Sequence, residues 1–571
     1  MDFSPNALYS HLLADLSSHI DCSLPGWSID STVKEVACYS LRDSLLKKFN
    51  QDDKPSQSAC RAALEKFEAV NTRCTEWSLI LESTYDEWLI NAVKAEIDRF
   101  WFVGGVSPLV SDLREVYLRG GVGPGANISA RGFDFYTKMF DSPLSCTTGI
   151  PEIWERCVSM SALSFEAEAF RAGQGFDVVG YSKYSFVNKT STVARGICTE
   201  PTLNMWFQKG VASLLEERLK HFWKIDLSVQ PELNGWLARA GSIDDTLCTI
   251  DLESASDSMG LSMLRYMLPR SFMAALEVFR SPSTRLPTGR ELRLGMVSTM
   301  GNGYTFPLET MFFAAVVRGV AGVVGCKLDG TNFGVFGDDI ICPSKLYRTV
   351  VRVLSILGFT VNLAKSFVEG PFRESCGADF FKGTNVRGVY IKQLRTKQDF
   401  LIAVNSLNYW TAVSGVFLNR TVGYLMEFTG PPRPVPLDES LDAGLHTPSM
   451  YLPMHMKMLR GCTRYSLWVP REYAFYILGG CVWTFKDQVK RSYNPAGLYI
   501  SFLAGGIRGC RVLLRQRRLR YTTKHKKTPR WDFLPPDDLR ALRGPEAFRR
   551  FVDAWHWNLL GSCAFGSPVI S

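Results

Sequence analysis

The sequence predicts an α+β fold centred on a βαββαβ-like antiparallel sheet, and three stretches predict it. Leu247-Cys248-Thr249-Ile250 reads as a short apolar strand that ends in Asp251 and turns, through Leu252 to Asp257, into a helix bearing Leu261, Leu264 and Leu268 and stopped by Pro269. Further on, Leu308, Met311, Phe312, Ala315 and Val316 follow the i, i+3, i+4, i+7, i+8 stripe of a buried helix. Between that helix and the next lies Val335-Phe336-Gly337-Asp338-Asp339-Ile340-Ile341, two β-favouring runs joined by Gly-Asp-Asp, which reads as a tight hairpin. With a helix bearing Leu346, Val350, Val353, Leu354 and Leu357, and a strand Phe359-Thr360-Val361-Asn362-Leu363, the order is strand, helix, helix, hairpin, helix, strand. This arrangement puts Asp251 and Asp338 on adjacent central strands, with the helices on one face.

Two neighbouring carboxylates on a rigid turn repel each other and gain most by sharing a divalent cation, Mg²⁺ above all. An acid at the end of a buried strand is costly unless paired or metal-bound, which makes Asp251 the third member. Asp251, Asp338 and Asp339 thus predict a two-metal site for in-line attack on a phosphate, with Mn²⁺ as a substitute ion. Asp52-Asp53, Asp244-Asp245 and Asp537-Asp538 lack the flanking strand runs.

The chain has 571 residues, 46% hydrophobic and 21% charged, the composition of an ordinary globular protein of several domain-sized units. Its net charge of +9 is concentrated: residues 508–530 hold ten Lys/Arg and no Asp/Glu. Such a stretch invites an anionic partner, nucleic acid first, with a solvated basic helix as the plain alternative. Arg515, Arg517, Arg518, Arg520, Lys526 and Lys527 are its candidate RNA contacts, while Leu513, Leu514 and Leu519 suggest one face packed on the body. The fifteen cysteines have no Cys-x-x-Cys pair and read as reduced, buried thiols; the seven histidines show no metal-ligand spacing. The start, Met1-Asp2-Phe3-Ser4-Pro5, lacks signal-peptide features, and the most apolar stretch, residues 312–326, contains Arg318 and is short for a bilayer. A soluble intracellular chain without a membrane partner is the expectation.

In chain order, residues 1–115 read as mostly helical, without visible chemistry. Arg119-Gly120-Gly121-Val122-Gly123-Pro124-Gly125 nearly matches a dinucleotide-binding glycine pattern, but a helix precedes it and Pro124 interrupts it, so a loop is favoured over a phosphate cradle. Ser185-Phe186-Val187 is a strand followed by Lys189, Arg195 and a helix with Lys209, Arg218 and Lys220; these cations suit a triphosphate or a solvated surface equally. Asp257 fits a helix N-cap. Residues 281–293 read as a polar hairpin insertion. The loop Ser298-Thr299-Met300-Gly301-Asn302-Gly303 can hold a sugar or a template backbone, or simply start the helix in whose first turn Pro307 is tolerated. Ser344 is the expected cap of the helix after the hairpin, and Gly358 its end.

Taken as an ordered set, Thr249-Ile250-Asp251-Leu252-Glu253-Ser254-Ala255-Ser256-Asp257-Ser258, Ser298-Thr299-Met300-Gly301-Asn302-Gly303 and Val335-Phe336-Gly337-Asp338-Asp339-Ile340-Ile341 resemble the A, B and C motifs of RNA-dependent RNA polymerases. In detail they are similar to the replicase β subunits of the single-stranded RNA bacteriophages, the leviviruses. Glu200-Pro201-Thr202-Leu203-Asn204-Met205 with Gln208-Lys209-Gly210, and Phe372-Arg373-Glu374-Ser375-Cys376-Gly377, extend the likeness over residues 184–392. The resemblance implies a right-handed polymerase fold: an N-terminal region and fingers over residues 1–240, a palm over 241–405, and a thumb with the basic C-terminal region over 406–571.

It further implies that Asp251, Asp338 and Asp339 bind metal and that Asp257 and Asn302, with Ser298 and Gly301 of the same loop, select ribose through its 2′-hydroxyl. Lys189 and Arg195 would face the triphosphate, and Lys365 would protonate the departing pyrophosphate. Phe336 stands where the family has tyrosine, Thr192 and Ala194 where relatives carry lysine and aspartate, and Pro307 where they carry glutamate. Implied partners are template and product RNA, NTPs, host elongation factors Tu and Ts and a ribosomal RNA-binding protein, in the cytoplasm of an infected bacterium. Two other readings are a reverse transcriptase, against which Gly337 and the ribose-selecting pair argue, and a non-catalytic RNA-binding protein, which has no need of three metal-suited carboxylates.

Overall fold

The strand Leu247–Ile250 lies beside Asp339–Pro343, which turns back onto Gly334–Phe336, and the three form one antiparallel sheet with Ile250 opposite Ile340 and Val335 opposite Ile340 on its other side. The computed structural model describes residues 2–50, 54–133, 135–140, 142–453, 456, 461–471, 473–478, 481–484, 492–493, 510–514, 519–534 and 544–561.

Alternation along these strands sends Cys248, Ile250, Ile340 and Cys342 into the largest core, against the helices Thr305–Val324 and Tyr347–Ile356. Leu247 and Ile341 point the other way, to Leu237 and Ala238 of the helix Gln230–Asp244. Helices therefore cover both faces, not one. The reason is written in the strand itself, since all four residues of Leu247–Ile250 are buried, as two-sided packing requires. The sheet is also narrower than expected. Thr360–Val361 pairs with Leu252–Glu253 as a separate ribbon, and the bridge Thr249–Phe367 extends the main sheet's edge.

The helix Thr305–Val324 ends at Gly325, whose φ of 71° makes the left-handed cap that glycine adopts without strain. Its 20 residues are long and apolar enough to cross a membrane by length and composition, because the helix begins before the stretch 312–326; 78% of its apolar window is buried within the protein. Gly319 lets the helix Thr84–Trp101 cross it closely, since a Cβ there would stand 2.7 Å from the backbone nitrogen of Val93. Ser344 does not cap the following helix. It opens a short 3₁₀ turn, and its hydroxyl donates to the Asp245 carbonyl oxygen at 2.7 Å.

A second, four-stranded sheet runs in the order Glu291–Arg293, Ser283–Arg285, Tyr181–Asn188, Ala194–Thr199. The hairpin within residues 281–293 is thus part of this sheet, with Ser182 and Thr284 paired in parallel. A third region joins the chain's two ends. Leu8, Leu12 and Leu41 share a core with Leu407, Val422, Phe551 and Trp555, so the helices Pro5–Leu16 and Val33–Ser44 pack with Lys397–Ser414, Asn419–Met426 and Gly544–Trp555. Thr32 and Glu35 close a reciprocal capping box at the start of the second of these helices.

The described part of the basic stretch is β-structure, not helix. Cys510–Leu514 is a strand, and Tyr521–Thr528 pairs along its whole length with Thr463–Pro470. A helix was the poorer expectation because Tyr521-Thr522-Thr523 and Thr528 favour the extended chain. Arg515, Arg517 and Arg518 lie outside the described residues.

Candidate active site

Gly337 has a φ of +60°, and a Cβ there would come within 2.6 Å of the Phe306 ring. Only glycine lets this turn lie against the start of the buried helix. The Gly337 N–H donates to Oγ1 of Thr310 at 2.9 Å, which pins the turn to that helix. Asp338 and Asp339 follow immediately. Because Ile250 pairs with Ile340, Asp251 emerges from the neighbouring strand beside this turn.

Asp251 is held from the segment after the third helix. Its carbonyl oxygen accepts from the Asn362 N–H at 2.9 Å, its Oδ2 accepts from Asn362 Nδ2 at 2.8 Å, and its own N–H donates to Ser366 Oγ at 3.1 Å. Burial pushes the Asp338 carboxyl above its ordinary range, and the charge of Asp251 adds to this, while Arg195 and Lys365 pull it back. Asp339 is raised to about 6, by burial first and then by the charges of Asp338 and Asp251. Asp338 and Asp339 both feel the charge of Asp251 across the site.

Among the described residues no three His, Cys, Asp or Glu side chains stand close enough to enclose an ion as they are. Asp339 is engaged by the Cys376 N–H, and its Oδ1 lies 3.5 Å from Ser375 Oγ. The donor set nevertheless fits a hard divalent cation, which relieves the mutual repulsion of three oxygen-donor carboxylates.

The cations converge on the same space. Lys189 is lowered by burial, then by the positive charges of Arg195 and Lys365, and is raised by Asp251. Lys365 itself is exposed at the end of the 3₁₀ turn Leu363–Lys365. Asp257 is raised to about 6 by burial, and its Oδ1 accepts from the Met300 N–H at 3.3 Å, so it sits under the loop of Ser298, Gly301 and Asn302. Gly301 has a φ of +116°, and a Cβ on it would fall 2.2 Å from the Cys198 carbonyl oxygen; the loop is clamped to the strand Ala194–Thr199. Ser298 is buried, with its hydroxyl unpartnered. Asn302 faces inward: its Oδ1 accepts from the Tyr304 N–H at 3.0 Å, and its side chain joins Ser281 and Gln208 in partly offsetting the burial that raises Glu200.

Several functional neighbours escaped sequence reasoning. Asn362 grips Asp251, and Asn234 Nδ2 reaches the Asp339 carbonyl oxygen at 3.4 Å. Glu309 is a fully buried acid whose Oε1 has no partner; burial raises it well above the carboxylate range, and the charge of Asp338 adds to that. Its signal was there to read, since a lone carboxylate inside Leu308-Glu309-Thr310-Met311 of an otherwise apolar helix is costly without a purpose. The glycine run at 119–125 is a loop that presents carbonyls: Lys138 Nζ, buried, takes those of Val122, Gly123 and Gly125 at 3.2, 2.9 and 2.6 Å. That polarity suits a cation and not a phosphate.

Of the RNA-contact candidates, Arg520, Lys526 and Lys527 lie among the described residues. On the ribbon of Thr463–Pro470 and Tyr521–Thr528, Lys527 faces Arg464 and both are exposed, as is Arg520. Lys526 is engaged by Glu439 at 2.7 Å.

A family model described as RNA replicase, beta-chain, matches residues 6–523. The RNA-directed RNA polymerase subunit beta of Escherichia virus Qbeta is 30% identical over 443 residues, spanning 75% of this chain and 71% of that one. The subunit of the same name from Enterobacteria phage SP is 41% identical over 237 residues, 41% of this chain and 40% of its own. Among solved structures, the RNA-dependent RNA polymerase of a human picorbirnavirus aligns with 65% of this chain and 76% of its own, with a TM-score of 0.39 and 12% identity.

Proposed function

Because the chain belongs to the RNA replicase β-chain family, and is thus an RNA-directed RNA polymerase of the phage type, we propose that it copies a phage single-stranded RNA genome by two-metal nucleotidyl transfer at Asp251, Asp338 and Asp339. The observation that carries this reading is the placement of buried Asp338 and Asp339 on the turn beside Asp251: burial first, and then the charge of Asp251, raises both carboxyls, Asp338 also raises Asp339, and Arg195 and Lys365 pull Asp338 back. The three carboxylates would hold two Mg²⁺ ions, with Mn²⁺ as a substitute; when bound, the ions supply activation of the attacking hydroxyl and stabilisation of charge on the phosphates.

In the reaction, the 3′-hydroxyl of the growing strand loses its proton to solvent as its oxygen bonds to the α-phosphorus of the NTP, the α–β phosphoanhydride bond breaks, and pyrophosphate leaves. Lys189 and Arg195 neutralise the triphosphate, which cannot approach three carboxylates otherwise. Lys365 delivers a proton to the departing pyrophosphate. Asp257 recognises the 2′-hydroxyl, with Asn302, Ser298 and Gly301 shaping the loop above it. Phe336 stacks edge-on against Phe306 at 4.6 Å between centroids, so the ring does its packing without a hydroxyl.

The exposed ribbon around Arg520 and Lys527 would carry template or product RNA, with Arg515, Arg517 and Arg518 as further contacts. The partners proposed for the complex are elongation factors Tu and Ts and a ribosomal RNA-binding protein, in the cytoplasm of the infected bacterium. The region limits proposed are fingers to residue 240, palm to 405 and thumb beyond.

The test is Mg²⁺-dependent incorporation of labelled NTPs on a C-rich-ended RNA by wild type and Asp338→Asn, with and without bacterial extract. Loss of incorporation in the variant, with RNA binding retained, is expected. Incorporation surviving in Asp338→Asn would overturn the metal assignment, and activity confined to reactions with extract would identify a need for host subunits.

A further inference from the structure

The hairpin of strands Phe372–Ser375 and Ala378–Phe381 has two neighbours of different kinds. On one side Ser375 and Cys376 touch Asp339. The next residue, Gly377, lines a cavity of about 430 Å³ between this hairpin, the segment 385–390 and the helices Val33–Ser44 and Lys397–Ser414. That volume lies within the range of small-ligand sites.

The cavity is built, not incidental. Gly388 packs so closely on the second helix that a Cβ would lie 2.5 Å from the Ser40 carbonyl oxygen and 2.1 Å from Ser44 Oγ. Ser44 Oγ donates to the Val389 carbonyl oxygen at 3.0 Å, the Ile391 N–H donates to that of Leu45 at 2.9 Å, and the Asn50 N–H to that of Lys392 at 2.9 Å. This extended segment therefore holds Arg387 and Tyr390 at fixed places in the wall, with Trp410 across from them on the helix Lys397–Ser414.

The wall is aromatic and its rim is positive. The Lys48 ammonium lies 4.2 Å from the Tyr390 ring centroid, and the Arg387 guanidinium carbon 5.2 Å from it. One arm of Arg387 is used by Asp379 at 2.8 Å. Burial lowers Lys48, and the positive charges of Arg387, Lys392, Lys47 and Lys365 lower it further, so five cations gather here. Of these, Lys365 also faces Asp338. Glu374 and Asp379 also face Tyr390 and act on Arg387 and Lys365, but the five cations outnumber these two acids, and a net positive rim beside an aromatic wall is a good receptor for an anionic aromatic ligand.

We propose that this cavity is a second ribonucleotide site, with the base against Tyr390 and Trp410 and the phosphate on Lys48 and Arg387. The proposal rests on the polymerase reading for its ligand class. The same chemistry is supplied by a free nucleotide or by a residue of the nascent strand leaving the carboxylates, and the two are separable.

The experiment has two arms, both on the full chain. In the first, GMP binding is measured by equilibrium dialysis in EDTA, which removes the metal-dependent site; wild type, Lys48→Gln, Tyr390→Ala and Tyr390→Phe are compared. A free-nucleotide site predicts binding about tenfold weaker in the first two variants and preserved in Tyr390→Phe. In the second, 4-thiouridine is placed at successive positions upstream of the 3′ end of a product strand annealed to template, and the photocrosslinked peptide is mapped. A nascent-strand site predicts crosslinks to a peptide containing Tyr390 or Trp410, lost in Tyr390→Ala and retained in Tyr390→Phe. GMP binding indifferent to both Lys48→Gln and Tyr390→Ala, together with crosslinks that map elsewhere from every position, overturns the proposal. Failure of the catalytic reading shows separately, as incorporation by Asp338→Asn, and leaves both arms readable.

Discussion

Asn362 holds Asp251 twice, through its N–H to the aspartate's carbonyl oxygen at 2.9 Å and through Nδ2 to Oδ2 at 2.8 Å. The first bond belongs to the backbone and survives substitution. The second orients a carboxylate that would otherwise rotate freely toward solvent. Asn362→Leu is therefore expected to leave the fold intact and to lower Mg²⁺ affinity or NTP incorporation by about 10- to 100-fold, the usual cost of removing a partner that orients a metal ligand. A Mg²⁺ titration of incorporation checks this, and a wild-type half-saturation point and rate in Asn362→Leu would remove Asn362 from the site.

Protons and metal compete for the same oxygens. Asp339 is raised to about 6 and Asp338 is raised as well, in both cases chiefly by burial. A carboxyl whose folded-state pKa stands above its unfolded value binds its proton more tightly when folded. Its contribution therefore favours the metal-free fold at low pH, and that advantage is lost as pH rises from about 4 through about 6. Above that window the charged pair is a strain that Mg²⁺ relieves. Thermal stabilisation by Mg²⁺ is expected to be larger at pH 7.5 than at pH 5.5, and the half-saturating Mg²⁺ for incorporation to rise as pH falls through 6. Equal stabilisation at both pH values would contradict the coupling.

The carboxylate turn was legible in the sequence because its determinants are local: glycine for the positive φ, two β-favouring runs, and acids with no basic residue beside them in the chain. The helices were legible by period. What could not be read was decided by packing at long range. Helix Gln230–Asp244 buries Leu237 and Ala238 on the far face of the sheet, and no periodicity in Leu247–Ile250 says which face the helix before it will take. Residues 281–293 form a hairpin by local chemistry, but their parallel pairing with Tyr181–Asn188 joins strands about a hundred residues apart. Asn362 was visible as a strand residue, and its grip on Asp251 depends on a crossover that the sequence does not display.

Glu309 is buried with Oε1 unpartnered, and burial with the Asp338 charge raises its carboxyl well above the usual range. A group whose charged form burial disfavours loses little when replaced by its neutral isostere. Glu309→Gln is expected to keep stability and incorporation within about threefold of wild type, whereas Glu309→Lys buries a charge without a partner and costs several kcal/mol. Thermal melts and incorporation assays on the two variants decide it; a Glu309→Gln variant as impaired as Asp338→Asn would show that the negative charge of Glu309 is needed.

Gly301 is the point where the loop over Asp257 meets the strand Ala194–Thr199. Its φ of +116° excludes most side chains, and a Cβ would lie 2.2 Å from the Cys198 carbonyl oxygen, a backbone atom that cannot step aside. The Cys198 N–H donates to the Met300 carbonyl oxygen at 2.8 Å, so displacing the loop also breaks the bond that registers it. Gly301→Ala is expected to raise KM for NTPs at least about tenfold and to weaken discrimination between NTP and dNTP, because Asp257 takes the Met300 N–H from the same loop. Competition between GTP and dGTP in single-nucleotide addition measures both, and unchanged discrimination would detach the loop from ribose selection.

The basic ribbon offers the last prediction, and its register sorts the cations. Tyr465 and Leu467 of Thr463–Pro470 point into a small core with Val435 and Trp531. Their cross-strand partners Lys526 and Lys524 therefore share the inner face, where Lys526 meets Glu439. Arg464 and Lys527 are paired on the outer face, alongside Ser466 opposite His525 and Trp468 opposite Thr523, and Arg433 stacks 3.9 Å above the Trp468 ring while donating to Thr523 Oγ1 at 2.8 Å. Trp468 is covered by Arg433 and packs on the core that joins the chain's two ends, so the exposed cations Arg464 and Lys527 are what this face offers to RNA phosphates. Arg464→Ala with Lys527→Ala is expected to weaken RNA binding and to lower the slope of log K against log salt by about 1.4, roughly 0.7 for each phosphate left without its cation. Lys526→Ala, which removes an ion pair, should change the slope little. If Lys526→Ala flattened the salt dependence and the outer pair did not, the RNA would lie on the other face of the ribbon.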